Sequence, residues 1–272
     1  MMETTPIIIL TKDNPEYLYI TLKSLTATET FNNPIIIVDD CSTMSTSRAF
    51  LYTDDVINVT FDDWTRPATL NTQEIADKEA ADSFLNIPKI TKILGIKRKF
   101  SIIRTPRYLG QEYRTLFGIN LGFLLYPNAK TCCIMEDDML FNKNWLKTAK
   151  HIYESESRRS NVGLVSVYNE HAKSTEFPDY LKNDRFQGKM FLITNKFYKL
   201  LKKYGYFSSS DFKGHGTTYE ILQDIGWNLG FDSFVSIKSY VQNIGKRNLC
   251  NKDKILKYDD NFKKPVAWNK DF

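Results

Sequence analysis

The chain has 272 residues, of which 42% are hydrophobic and 25% charged, the composition of a folded globular protein and not of a disordered one. The 37 Lys and Arg against 32 Asp and Glu leave a formal charge of +5, compatible with anionic ligands yet too small to require nucleic acid. No apolar run reaches the ~18 residues of a membrane-spanning helix, and residues 1–6 lack the basic and apolar regions of a signal peptide. Cys41, Cys132, Cys133 and Cys250 show no C-x-x-C spacing. They argue against a disulfide framework or zinc knuckle, and for a reducing, cytoplasmic setting, a viral protein in a host cytoplasm included.

Ile7 to Thr11, after Pro6, is a short β-branched run that reads as a strand buried on both faces. Lys12-Asp13-Asn14-Pro15 is a turn into a helix carrying Leu18, Leu22 and Leu25. Ile35 to Val38 is a second buried strand ending in Asp39-Asp40. Strand, helix and strand in succession predict parallel pairing through a right-handed crossover. Val56–Phe61 reads as a strand. Residues 62–99 read as an insertion, with a helix near 72–85 and the basic run Lys97-Arg98-Lys99. Phe100–Arg104 is a strand and 107–125 a helix, in which Gly118 and Gly122 permit close packing. Thr131–Met135 is a strand running into Glu136-Asp137-Asp138. Then come a helix at 144–154, a strand at 162–168, a strand within 186–194, a helix at 195–204, a polar loop at 208–218, a helix at 219–229 and a strand at 234–241. No linker divides the chain. The expected organisation is one α/β domain over 1–248, in two halves that meet at about residues 138 and 139, and a tail from 249.

Two acidic clusters, Asp39-Asp40 and Glu136-Asp137-Asp138, fall at the C-terminal ends of predicted parallel strands. Ligands of open α/β sheets bind there. Adjacent carboxylates repel unless something positive intervenes, and a hard divalent cation that also takes phosphate oxygens is one answer. Asp is also a turn residue, so one Asp-Asp alone is equally well read as turn chemistry. Two clusters at matching strand ends weaken that reading.

The stretches from Pro6 to Leu18 and from Ile35 to Thr43 (Ile-Ile-Ile-Val-Asp-Asp-Cys-Ser-Thr) resemble the opening of GT-A nucleotide-sugar glycosyltransferases of family 2, with Cys41 where that family has Gly. Glu136-Asp137-Asp138 resembles the D-x-D metal motif. Together with Tyr113-Arg114, Phe141–Trp145 and Val165–Asn169, it is also similar to enzymes of the N-acetylglucosaminyltransferase I type. The resemblance covers about residues 6–50 and 100–245. It implies a GT-A fold with a mostly parallel central sheet flanked by helices and an acceptor-side lobe. It also implies a nucleoside-diphosphate sugar donor, UDP-linked by preference, and Mn²⁺ or Mg²⁺. By position, Thr11, Asp39 and Asp40 would line the nucleotide site, with Asp40 accepting from the base. Asp137 would touch ribose or donor sugar and stand near the metal, and Asp138 would bind the metal. Glu136 would contact sugar or orient its loop, and Arg114 would face diphosphate or base.

An inverting enzyme needs a base within hydrogen-bond reach of the acceptor hydroxyl. Glu220, entering the helix after Gly214-His215-Gly216, stands where the family has its acid, and Asp224 lies one turn on. The alternative is that both are surface acids, with Glu220 favoured by the helix N-terminus. His151 reads as structural, while His171 and His215 fall in loops. Tyr240–Gly245 resembles a late family segment with His where this chain has Asn243, a weaker ligand. Lys246 and Arg247 follow and would pair with the diphosphate.

The acceptor is expected to be a saccharide or glycoconjugate. A second reading is a hydroxymethylated pyrimidine of phage-like DNA, motivated by Lys89, Lys92, Lys97, Arg98, Lys99, Lys202, Lys203, Lys246 and Arg247. A nucleotidyltransferase would want a glycine-rich loop after the first strand, which Thr11–Pro15 lacks. A non-catalytic sugar-binding module would have no need of Asp137-Asp138 together with Glu220. The charges are expected to segregate into an acidic centre with basic flanks.

Overall fold

The computed structural model describes residues 4–28, 33–42, 91–95, 98–105, 107–169, 180–183, 188–206 and 218–243. The predicted strand at 56–61, the helix near 72–85, the loop at 208–217, the segment carrying Lys246 and Arg247 and the tail lie outside these residues.

The strands are β1 (Ile7–Thr11), β2 (Ile35–Asp39), β3 (Thr91–Gly95), β4 (Arg98–Arg104), β5 (Thr131–Glu136), β6 (Met139–Phe141), β7 (Val162–Ser166), β8 (Tyr180–Lys182), β9 (Met190–Thr194), β10 (Asp232–Ser236) and β11 (Val241–Asn243). The helices are α1 (Pro15–Thr28), α2 (Gly110–Leu125), α3 (Trp145–Glu156), α4 (Asn195–Lys203) and α5 (Thr218–Asn228). One nine-stranded sheet runs in the order β3-β4-β2-β1-β5-β9-β7-β10-β8. Strands β4, β2, β1, β5, β7 and β10 point one way, and β3, β9 and β8 the other. The expected α/β architecture with a mostly parallel central sheet is thus observed.

The all-apolar strands are explained by their place. Every residue of β1, β2 and β5 is buried, because both faces of the sheet are covered. Alternate side chains feed separate cores. Ile8, Leu10, Ile36 and Val38 pack with Leu116, Ile119 and Phe123 of α2. Ile7, Ile9, Ile35 and Ile37 join the core that holds Leu18, Leu22 and Leu25 of α1 and Trp145 of α3. The same alternation sends Cys132 to the first core and Cys133 to the second. Helix α2 can lie this close to the sheet because a Cβ on Gly122 would come 2.4 Å from Cys132 Sγ, and one on Gly118 would come 3.0 Å from Leu10 Cδ2.

Three differences from the sequence reading matter. Residues 91–95, assigned to the insertion, form β3, which pairs antiparallel with β4. The strand expected over 234–241 is two strands: β10 stays in the main sheet, while β11 leaves it to pair antiparallel with β6. Strands β6 and β8 were not expected. At three residues each, they are too short to show a period.

Candidate active site

Register gathers the acidic clusters. Thr11 lies opposite Asp39 on the β1–β2 pair, and Leu10 lies opposite Glu136 on the β1–β5 pair. Both clusters therefore stand along the same rim of the sheet, the one formed by the C-terminal ends of its parallel strands, with Thr11 between them.

Asp39 and Asp40 have different work. Asp39 closes the turn after β2: its Oδ1 accepts from the Ser42 amide at 3.0 Å and from the Ser42 hydroxyl at 2.5 Å. Ser42 Oγ in turn accepts from the Asp13 amide at 2.8 Å, tying this turn to the one after β1. Cys41 sits within the turn at φ 51°, a left-handed conformation that costs a non-glycine residue ~1–2 kcal/mol. Glycine at this place in the resembling family would carry no such cost. The Asp40 carboxylate is fully buried and accepts from the backbone amides of Leu109 (2.6 Å) and Gly110 (3.1 Å), at the start of α2. Burial pushes its carboxyl up to about 6, against the pull of Arg114, the two amides and Lys12. Oδ1 also accepts from the Thr105 hydroxyl at 3.4 Å, so it is Oδ2 that keeps a lone pair for another donor.

The second cluster is built more tightly. Asp137 accepts from the Thr11 hydroxyl at 2.5 Å, and its carbonyl accepts from Thr21 Oγ1 at 2.6 Å. Burial first, then Asp138 and Glu136, push its carboxyl up to about 7 against Thr11 and Arg114. Asp138, half-buried, accepts from Asn243 Nδ2 at 2.8 Å. Burial and Glu136 push it up to about 6, against Lys189 and Asn243. Glu136 is paired with Lys189 through Oε2, and its Oε1 accepts from Gln111 Nε2 at 3.2 Å and, more weakly, from Tyr219 OH at 3.5 Å. Arg114, on α2, faces this edge and lowers the acidity cost of both Asp40 and Asp137. Its buried Nε has no hydrogen-bond partner among the described residues.

Lys189, Tyr219 and Gln111 were not among the residues expected from sequence. Lys189 arrives because β9 runs antiparallel to β5: Met190 lies opposite Met135, and Glu136 N–H donates to the Lys189 carbonyl at 3.0 Å. Tyr219 arrives because Gly188 has no side chain. A Cβ there would stand 1.5 Å from Tyr219 Cγ. The expected segregation of charge is corrected here, since Lys12, Arg114 and Lys189 all stand among the acids. A nearby cation favours the charged form of a buried carboxylate.

Glu220 lies in the first turn of α5, directly after the Tyr219 that reaches Glu136. Asp224 is exposed, one turn further along. Asn243 belongs to the acidic edge because the β6–β11 ladder pairs it with Met139. Lys246, Arg247, His171 and His215 lie outside the described residues. Of the basic set, Lys92 lies on β3, Arg98 and Lys99 on β4, and Lys202 and Lys203 in the last turn of α4, so its described members do not share one element.

The donor set can be tested against a divalent cation. Among the described residues no group of three or more His, Cys, Asp or Glu is arranged to hold a metal ion. Mg²⁺ and similar ions are often held by one or two carboxylates, with diphosphate and water completing the shell. Two carboxyl groups with raised proton affinity, Asp137 and Asp138, fit that kind of site. No described helix is long and apolar enough to cross a membrane.

No protein-family profile and no curated protein matches the chain. Solved structures do. Residues 1–349 of S. aureus TarS in complex with UDP superpose with a TM-score of 0.51 at 14% identity, covering 90% of this chain and 61% of that one. The mannosyltransferase PcManGT from Pyrobaculum calidifontis, in complex with GDP-Man and Mn²⁺, gives 0.50 at 13% identity, covering 90% and 58%. The chain shares their fold. It spans about three fifths of the length of each.

Proposed function

We propose that this chain transfers a glycosyl group from a nucleoside-diphosphate sugar to a hydroxyl acceptor. The observation that carries the reading is the convergence of Asp40, Asp137 and Asp138 along one rim of the sheet, all with raised proton affinity, beside Arg114 and Lys189. Burial raises all three, Glu136 adds repulsion at Asp137 and Asp138, and a cationic ligand relieves both costs. The shared fold supports the same reading, since one of its bearers is a mannosyltransferase seen with GDP-Man and Mn²⁺ and the other was seen with UDP.

In this reading Thr11, Asp39 and Asp40 line the nucleotide site, and Arg114 meets the diphosphate with its unpartnered Nε. Asp138, assisted by Asp137, would hold Mn²⁺ or Mg²⁺, which would offset charge on the departing diphosphate. Lys189 holds Glu136 in place beside the donor sugar. Lys246 follows the Asn243 segment and is assigned to the diphosphate by its position in sequence. Glu220 takes the proton of the acceptor hydroxyl while that oxygen bonds to the anomeric carbon. The bond from the anomeric carbon to the diphosphate breaks, and the nucleoside diphosphate leaves with the electron pair. Configuration inverts in such a single displacement. Asp224 is the second candidate for the base. The acceptor is assigned as a saccharide or glycoconjugate, and the domain as one catalytic unit over 1–248.

The test is calorimetric titration of UDP and GDP with Mn²⁺ present and then chelated, followed by hydrolysis of UDP- and GDP-sugars. Metal-dependent binding that is lost in Asp138→Ala is expected. Absence of binding for every nucleotide would overturn the proposal.

A further inference from the structure

A second concave site lies at the other end of the β6–β11 ladder from Asp138. It is a cavity of about 330 Å³ between the first turns of α3 and the turn joining β10 to β11. That is the size range of small-molecule sites, ~300–1,000 Å³. Its floor is Ile152 and Ile237, both buried. Its walls carry the rings of Tyr180 and Tyr240, and its rim carries Lys147, Lys238 and His151.

The charge is one-sided. No carboxylate lines the cavity, and among the described residues neither lysine is ion-paired. Glu156, which the Tyr180 hydroxyl reaches at 2.5 Å, is also paired with Arg159 at 3.5 Å. Helix α3 has no acid in its first turn, and the Asn144 side chain makes no capping bond, so the positive helix end is not offset there. Lysine cations favour a phosphate, and tyrosine faces favour the C–H surface of a sugar ring. A nucleic-acid backbone would need an extended basic track, not a small cavity with an apolar floor.

Position ties the cavity to the acidic edge. Tyr240 precedes β11, whose last residue, Asn243, donates to Asp138. Three extended residues span ~10 Å. On the partner strand, Asn144 follows β6, whose first residue, Met139, adjoins Asp138.

We propose that this cavity binds the phosphorylated part of a saccharide acceptor. The word acceptor rests on the glycosyl-transfer reading; binding of a sugar phosphate does not. The test titrates glucose 6-phosphate, glucose, inorganic phosphate and a short oligonucleotide into the full chain and into Lys147→Glu/Lys238→Glu. Both lysines are exposed, so the variant should fold, and an unchanged melting temperature checks this. Expected is glucose 6-phosphate binding at least tenfold tighter than glucose or phosphate, weakened at least tenfold in the variant, with UDP binding unchanged. Equal binding to both proteins, equal binding of glucose, equal binding of inorganic phosphate, or no sugar-phosphate binding at all would overturn the proposal. A tighter, variant-sensitive oligonucleotide would overturn it in favour of nucleic acid. Loss of UDP binding from both proteins would overturn glycosyl transfer while the sugar-phosphate titration still reads the cavity.

Discussion

Lys189 donates to Glu136 across the β5–β9 pairing, although 53 residues separate them in the chain. Both side chains are largely withdrawn from water, at 16% and 10% exposure. Removing one partner strands the other charge. Lys189→Met or Glu136→Gln alone should each cost ~2–4 kcal/mol in urea denaturation, and the double variant should cost less than the sum. Additive losses would mean that the pair is not energetically coupled.

Gly188 is the reason Tyr219 can reach Glu136. With a Cβ only 1.5 Å from the Tyr219 ring, Gly188→Ala must displace the ring or the strand. A loss of ~3 kcal/mol is expected, and it should be partly relieved in Gly188→Ala/Tyr219→Ala. Thermal melts of the two variants check this. An unaffected single variant would place Tyr219 elsewhere.

The acidic edge gives stability a definite pH dependence. Asp40 and Asp138 are raised to about 6 and Asp137 to about 7, all from the ordinary 3.8. The folded protein therefore holds more protons than the unfolded chain between about pH 4 and 7. The contribution of these groups to stability is full below pH 4 and is lost as pH rises through 6 to 7. The apo protein should melt lower at pH 8 than at pH 5.5. Mn²⁺ should raise the melting temperature more at pH 8, where no proton need be displaced. A metal effect independent of pH would count against carboxylate ligands.

Asp138→Asn separates function from stability. It removes one charge from a repulsive group, so the apo variant should gain ~1 kcal/mol, a figure discounted for partial exposure. Mn²⁺-dependent turnover of a UDP-sugar should fall at least ~100-fold. Loss of both stability and binding would make Asp138 a structural residue.

The two base candidates differ in surroundings. Glu220→Gln should lower kcat ~100-fold or more with little change in KM for the donor, whereas Asp224→Asn, exposed a turn away, should stay close to the parent. The reverse ranking would move the base to Asp224.

The sequence by itself determined the long buried strands and helices of the described residues and the two acidic strand ends. Runs such as Ile7–Leu10 and Ile35–Val38 are apolar on both faces only in a covered parallel sheet, and Asp39-Asp40 and Glu136–Asp138 follow such runs directly. It also marked Gly118 and Gly122 as positions that permit close packing of their helix, and the structure makes the sheet the partner. Tertiary structure alone decided which cations attend the acids and what holds the clusters together. Lys189 depends on the antiparallel register of β9, Tyr219 on a gap left by Gly188, and Asn243 on β11 leaving the main sheet. These are long-range pairings. A local sequence pattern records which faces of an element are apolar, but not which distant element will cover them or in what register.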